Sequence, residues 1–156
     1  MTPLMLQDEL AAELTRLFSD YAYKKPGSTE RVPLNVFTQH IPINETDDED
    51  DPVPYLIVRL SSGDDEGIRD SFNEVHLIII VGIFDDDLNA QGHRDILNII
   101  QKIYERFHEN PNLNNKAAYT GAFHWATQED NYYPFFFGAC SLSFNIAAIR
   151  REDEYA

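Results

Sequence analysis

Apolar residues recur at three- and four-residue spacing at the start of the chain: Leu6, Leu10, Leu14, Leu17, Phe18 and Tyr21. Thr2 can cap the helix they predict, with Pro3 at its first position, and the run ends near Lys24, Lys25, Pro26 and Gly27. The period then changes. VPLNVFTQHI, residues 32–41, is rich in β-branched and aromatic residues, and a strand there places Leu34 and Val36 on one face. PYLIVRL (54–60) and VHLIIIVGIF (75–84) have strand length, and the second is apolar on both faces, as a central strand requires. Asp85 to Asn89 can cap a second helix whose stripe is Ile96, Leu97, Ile100, Ile103, Tyr104 and Phe107, stopped by Asn110 and Pro111. AAYTGAFHWAT (117–127) reads as a fifth element, a strand weakened by Gly121. In the last strand Phe136, Gly138, Cys140, Leu142, Phe144 and Ile146 face one way, and Ala139, Ser141, Ser143 and Asn145 the other.

The order α-β-β-β-α-β-β predicts an α+β fold: a mostly antiparallel sheet of four to five strands packed by two helices, in one domain over residues 1–156. Two connections, 42–53 (PINETDDEDDPV) and 61–74 (SSGDDEGIRDSFNE), are long and charged. Connections of that length are uncommon unless functional or disordered, so they are expected as contact surfaces, with 44–51 and 61–73 the mobile parts.

Charge sharpens this picture. With 12 Lys and Arg against 27 Asp and Glu, the 156-residue chain carries a formal charge of -15. Such a field repels phosphate backbones and anionic membranes, which argues against wrapping DNA or RNA and against a membrane partner. The lone Cys140 can form no internal disulfide, so a cytosolic setting is expected. MTPLMLQDEL has neither the basic nor the long apolar region of a signal peptide, and no apolar stretch reaches the roughly 20 residues of a membrane span. A soluble, non-secreted chain is expected.

Candidate chemistry is sparse. Glu45, Asp47, Asp48, Glu49, Asp50 and Asp51, with Asp64, Asp65, Glu66 and Asp85 to Asp87, hold nearly half of the acids. Like-charge blocks are usually solvated loops. The best calcium-loop alignment starts at Asp85, with Asp87 and Asn89 as further ligands. It puts Ala90 where the turn needs glycine and Ile96 where a bidentate glutamate belongs, so an EF-hand is rejected. A magnesium site on Asp85 to Asp87 competes with plain helix capping. His40, His76, His93, His108 and His124 show no zinc spacing, and Cys140 lies among Phe136, Leu142 and Phe144 as a small hydrophobe. Without GxSxG, GxxxxGK[ST] or GxGxxG, no catalytic residue, cofactor or metal ligand is assigned and no enzyme activity is expected.

YYPFFFG, residues 132–138, is the densest aromatic segment. If Phe136 faces the core, Phe135 and Phe137 must face away. They form either a second core layer under a helix or the aromatic anchors of an interface. The candidate interface set is therefore Phe135 and Phe137 together with the loop acids Asp47, Asp48, Glu49, Asp50, Asp64, Asp65 and Glu66.

VPLNVFTQHIPI, DDEDDPVPYLIVRLSSG, VHLIIIVGIFDDDLNAQGHRDILNIIQKIYERF and the ending YYPFFFGACSLSFNIAAIRREDEYA resemble the small tail terminator or tail completion proteins of long-tailed phages and prophages of Gram-positive bacteria. The resemblance covers most of the chain, apart from 61–73 and 112–123. It implies a structural virion protein with no catalytic residues. Such a subunit forms a homo-oligomeric ring, commonly a hexamer, on the last ring of the tail tube, stops tube growth and provides the head-tail joining surface. The implied partners are further copies of itself, the major tail tube protein and a head completion or connector protein. Its place is the host cytoplasm during assembly and then the virion tail. Head completion and connector proteins of the same phage are similar in size and acidity and form the alternative. From another class, an inhibitor whose acids mimic DNA phosphates would space them along one face, whereas half of the clustered acids here sit in a single loop.

Overall fold

The computed structural model describes residues 1–43, 52–67 and 73–147. Helix α1 spans Pro3–Leu17, and Thr2 caps it as expected, its hydroxyl accepting a hydrogen bond from the Met5 amide at 3.2 Å. Leu6, Leu10 and Leu14, spaced by four, are fully buried. The helix ends earlier than its apolar stripe predicts. Phe18 is the C-cap and the Ser19 hydroxyl donates to the Arg16 carbonyl, a local bond that competes with a further helical turn. The chain then forms a small antiparallel pair, β1 (Tyr23–Lys24) with β2 (Arg31–Val32).

The expected strand 32–41 is thus broken. Its first part belongs to β2, Pro33 interrupts it, and β3 covers only Asn35–Thr38 before Gln39 turns the chain at φ 68°. Leu34 and Val36 do join the same core. Strand β4 is Tyr55–Asp64 and β5 is Asn73–Phe84. The expected loop 61–74 is therefore in part sheet: Ser62, Gly63 and Asp64 pair with His76, Val75 and Glu74 past a bulge after Leu60. The Gln39 side chain satisfies that bulge, accepting from the Leu60 amide at 3.0 Å while its amide donates to the Leu60 carbonyl at 3.3 Å. Buried Gln7 of α1 donates to Gln39 and to the Val58 carbonyl, which pins the helix over β3 and β4.

Helix α2 is His93–Glu109, followed by β6 (Asn112–Leu113), β7 (Ala117–Thr127) and β8 (Phe135–Ile146). Its N-cap is Gly92, and no side chain caps it. The residues expected to do so are used earlier: Asp85 Oδ1 accepts from the Asp87 amide at 3.0 Å and Asp87 Oδ1 from the Asn89 amide at 2.9 Å, so they fold the turn ahead of the helix. The buried stripe is Ile96, Ile99, Ile100, Ile103 and Phe107, while Leu97 and Tyr104 lie at its margin.

Six strands rather than four or five form the main sheet, in the order β3-β4-β5-β8-β7-β6, antiparallel except for the parallel pair β3 and β4. Both helices pack on one face. Their leucines, isoleucines and phenylalanines meet Leu56, Val58, Leu77, Ile79, Val81, Cys140, Leu142 and Phe144 in one core. Burying each such side chain is worth about 1.5–3 kcal/mol. With β4 and β8 on either side and a helix layer above, β5 is the most enclosed strand. Amide hydrogen exchange should be slowest in residues 75–83, and a faster rate there than in α1 would contradict this packing.

Candidate functional site

The side of the sheet away from the helices is built from the other parity of each strand. Register alignment gives its rows. Phe37, Ile57, Ile80, Ala139 and Ala126 lie side by side across five strands, an apolar band that crosses the sheet. The next row towards the β5 C-terminus is Tyr55, Gly82 and Phe137, and beyond it Phe84 pairs with Phe135. In the opposite direction the rows turn polar: Arg59, Ile78, Ser141 and His124, then Ser62, His76 and Ser143, and finally Asp64, Glu74 and Asn145.

The aromatic end is a second, smaller cluster. Val53, Tyr55 and Ile57 are buried in it, and Phe37, Ile41, Ile80, Phe84, Phe135 and Phe137 are packed against them but only partly covered. Among the described residues no helix side chain joins it. Phe84 and Phe135 meet at 5.7 Å between ring centroids, and Tyr132, which is exposed, meets Phe137 edge-on at 6.1 Å. Gly82 explains how Tyr55 fits: a Cβ at position 82 would come within 2.5 Å of the Tyr55 ring, so only glycine lets that ring lie across the strand. A glycine inside the apolar run 75–84 is a visible signal of such a close approach.

Phe135 and Phe137 therefore stand where their alternation with core-facing Phe136 predicts, but no described helix covers the layer they form. The described acids of the set, Asp64, Asp65 and Glu66, are elsewhere. Asp64 closes the opposite end of the same face, paired with Glu74, roughly 33 Å from Phe84 at 3.3 Å per residue along β5. It is a strand residue, not a loop residue as expected, and exposed Asp65 and Glu66 follow it. Asp47, Asp48, Glu49 and Asp50 lie outside the described residues. The described part of the interface set thus divides into an aromatic end and an acidic end. Between them, His76 Nε2 sits 3.4 Å from Asp64 Oδ2 and 3.8 Å from Glu74 Oε1. The residues that sequence alone did not single out, Phe37, Tyr55, Ile57 and Ile80, come from three separate strands, and only pairing brings them together.

Other candidates resolve into structural roles. Lys24 Nζ lies 3.2 Å from Asp85 and 3.4 Å from Asp86, tying the small β1–β2 pair to the turn before α2, and its hydrogen bond to Asp85 raises the lysine pKa. Among the described residues, no group of three or more His, Cys, Asp or Glu could hold a metal ion. Cys140 is 1% exposed, and burial pushes its thiol up to about 12, far from the thiolate a nucleophile needs. A cleft of about 270 Å³ beside the start of α2 is lined by His93, Gln128, Glu129, Asp130 and Phe137 among others. It is open to solvent and borders the aromatic cluster at Phe137. No described helix is long and apolar enough to cross a membrane. No protein-family model matches the chain, and a search of curated proteins returns no match.

Proposed function

We propose that this chain is a structural subunit of the tail terminator or tail completion kind. It forms a ring, a hexamer by the resemblance, on the end of a phage tail tube, halts tube growth and offers the head-joining surface. It works as an assembly part and not as an enzyme. Its partners are its own copies, the major tail tube protein and a head completion or connector protein, first in the host cytoplasm and then in the virion tail. The observation that supports this reading is the face of the sheet that no described helix covers, where partly covered Phe37, Ile80, Phe84, Phe135 and Phe137 form an apolar surface that assembly can bury.

Charge sets the conditions. Copies at -15 repel one another, and repulsion between surface charges is screened over roughly 8 Å at physiological salt, so association should strengthen with ionic strength or divalent cations. An acidic ring around a DNA conduit would also repel the duplex and let it slide. Light scattering across salt and protein concentration, with negative-stain microscopy, should show rings at higher salt and binding to tail-tube ends. Phe135→Asp, which places a carboxylate in the aromatic cluster, should abolish binding to tail-tube ends. Circular dichroism that shows an intact helix-side core would separate this loss from unfolding. A wild type that stays monomeric at every salt and ignores tube ends would sink the proposal. Binding to head connectors but not to tubes would assign the chain to the head completion alternative.

A further inference from the structure

The two outer edges of the main sheet differ from the rest of this acidic surface. On one side β6 pairs with Ala117 and Ala118, and the Tyr119 amide donates to the Pro111 carbonyl just before β6, which leaves residues 120–127 of β7 with no strand on their outer side among the described residues. From Ala117 to Gln128 there is no Asp, Glu, Lys or Arg. Thr120, Ala122, His124 and Ala126 are exposed, and Trp125 is 59% exposed. On the other side β3 is the last strand among the described residues, within the equally uncharged stretch 33–43. Asn35 and Gln39 amides bond inward to the Pro54 and Val58 carbonyls, so by alternation the backbone groups of Val36 and the amide of Thr38 point outward, while the Thr38 carbonyl accepts from the His40 amide. Long edges are normally protected by charge or proline, because unpaired N–H and C=O groups are a template for another strand. In β7 the protection is a single bulge between Tyr119 and Phe123, where Gly121 takes φ 95°.

We infer that β7 of one subunit pairs with β3 of the next copy of this chain, so that the sheet runs on from copy to copy. This inference rests on the ring reading above. Three observations select the occupant. A chain of charge -15 meets its own copy with least repulsion where both surfaces are uncharged, and the two sheet edges are such surfaces. The strand directions also agree: β3 runs with β4, and the reversals through β5, β8 and β7 leave β7 antiparallel to β3. A copy that continues the sheet without inversion therefore presents its β3 antiparallel to β7, the more stable pairing. Finally, the contact joins two different edges, the heterologous type that closes into a ring, whereas β7 against β7 would stop at two copies. In such a ring every helix layer lies on one side and every aromatic face on the other.

Cysteine pairs test the register and the identity of the partner. Native Cys140 is buried and does not compete. Thr38→Cys, on the helix side of β3 with Val36, would be combined in turn with Phe123→Cys, Trp125→Cys and Thr127→Cys on the same side of β7, and each protein oxidised at a salt concentration where the wild type associates. One combination should give a disulfide ladder up to the closed ring, and none of the single variants should crosslink. A second variant, His124→Lys with Ala126→Lys, places two cations on exposed positions of β7. It should keep the wild-type melting temperature but raise the concentration needed for rings by about tenfold or more. Single β7 cysteines that crosslink to themselves would overturn the inference in favour of a two-fold contact. So would rings in which no pair crosslinks, or rings of the lysine variant at wild-type concentration. In those cases the ring reading stands and the edge pairing falls. A wild type that never associates would remove both.

Discussion

Phe107→Ala should lower the stability of this fold by about 3–5 kcal/mol, the usual cost of emptying a fully buried phenylalanine site. Phe107 is 0% exposed, and its ring stands edge-on to Phe144 at 5.3 Å and tilted to Tyr119 at 6.0 Å. It is therefore the point at which α2 is held to both β8 and β7. Those neighbours sit on a sheet and cannot collapse into the void, so the cavity term is not relieved. For a domain whose total stability is on the order of 5–15 kcal/mol, the melting temperature should fall by roughly 6–20 °C. Urea unfolding checks this, with Leu97→Ala on the half-buried margin of the same helix as the comparison. If the two variants lose equal stability, the stripe does not carry the packing described here.

Arg106→Gln should cost about 1.5–3 kcal/mol at neutral pH, the range for hydrogen bonds that involve a charged group. Arg106 Nε donates to Glu13 Oε1 at 2.7 Å, and its remaining nitrogens donate to the Asn110 and Asn112 carbonyls. One side chain thus ties α2 to α1 and satisfies the carbonyls that follow the helix end. Both partners are only about 15% exposed, so the ion pair is better shielded than a surface pair. The hydrogen bond from Arg16, opposed by burial and aided by Arg106, holds the Glu13 carboxyl below its ordinary value of 4.5. A depressed folded-state pKa stabilises above the unfolded value and is lost as pH falls through the folded one. The gap between wild type and Arg106→Gln should therefore be full at pH 7 and narrow below about pH 4.5. A gap independent of pH would mean that the carbonyl contacts, and not Glu13, carry the effect.

Where a periodic pattern met a local cap or stop, sequence reading located the element well. Thr2 and Pro3 mark the start of α1, Asn110 ends α2, and 117–127 is a strand over its full expected length. It failed where two local signals competed. Phe18 and Tyr21 continue the helical stripe, but Ser19 takes the Arg16 carbonyl and the helix stops. Asp85 and Asp87 look like caps, yet their carboxylates bond amides two residues on and fold the preceding turn. Ser61 to Asp64 look like loop because polar residues carry no apolar alternation, but a strand is held by its backbone, and β5 supplies the partner.

The candidate surface divides in the same way. Strand alternation has a period of two, so placing Phe136 in the core was enough to put Phe135 and Phe137 on the other face. Composition alone established the charge of -15 and, with it, the repulsion that any assembly must overcome. The row from Phe37 through Ile57 and Ile80 to Ala139 required strand order and register, which depend on contacts between residues far apart in the chain. That both helices choose one face, and that β7 and β3 are left as uncharged edges, were likewise decided by tertiary structure. Local sequence sets which way a side chain points from its own strand, whereas which strands become neighbours, and which become edges, is a property of the whole chain's packing.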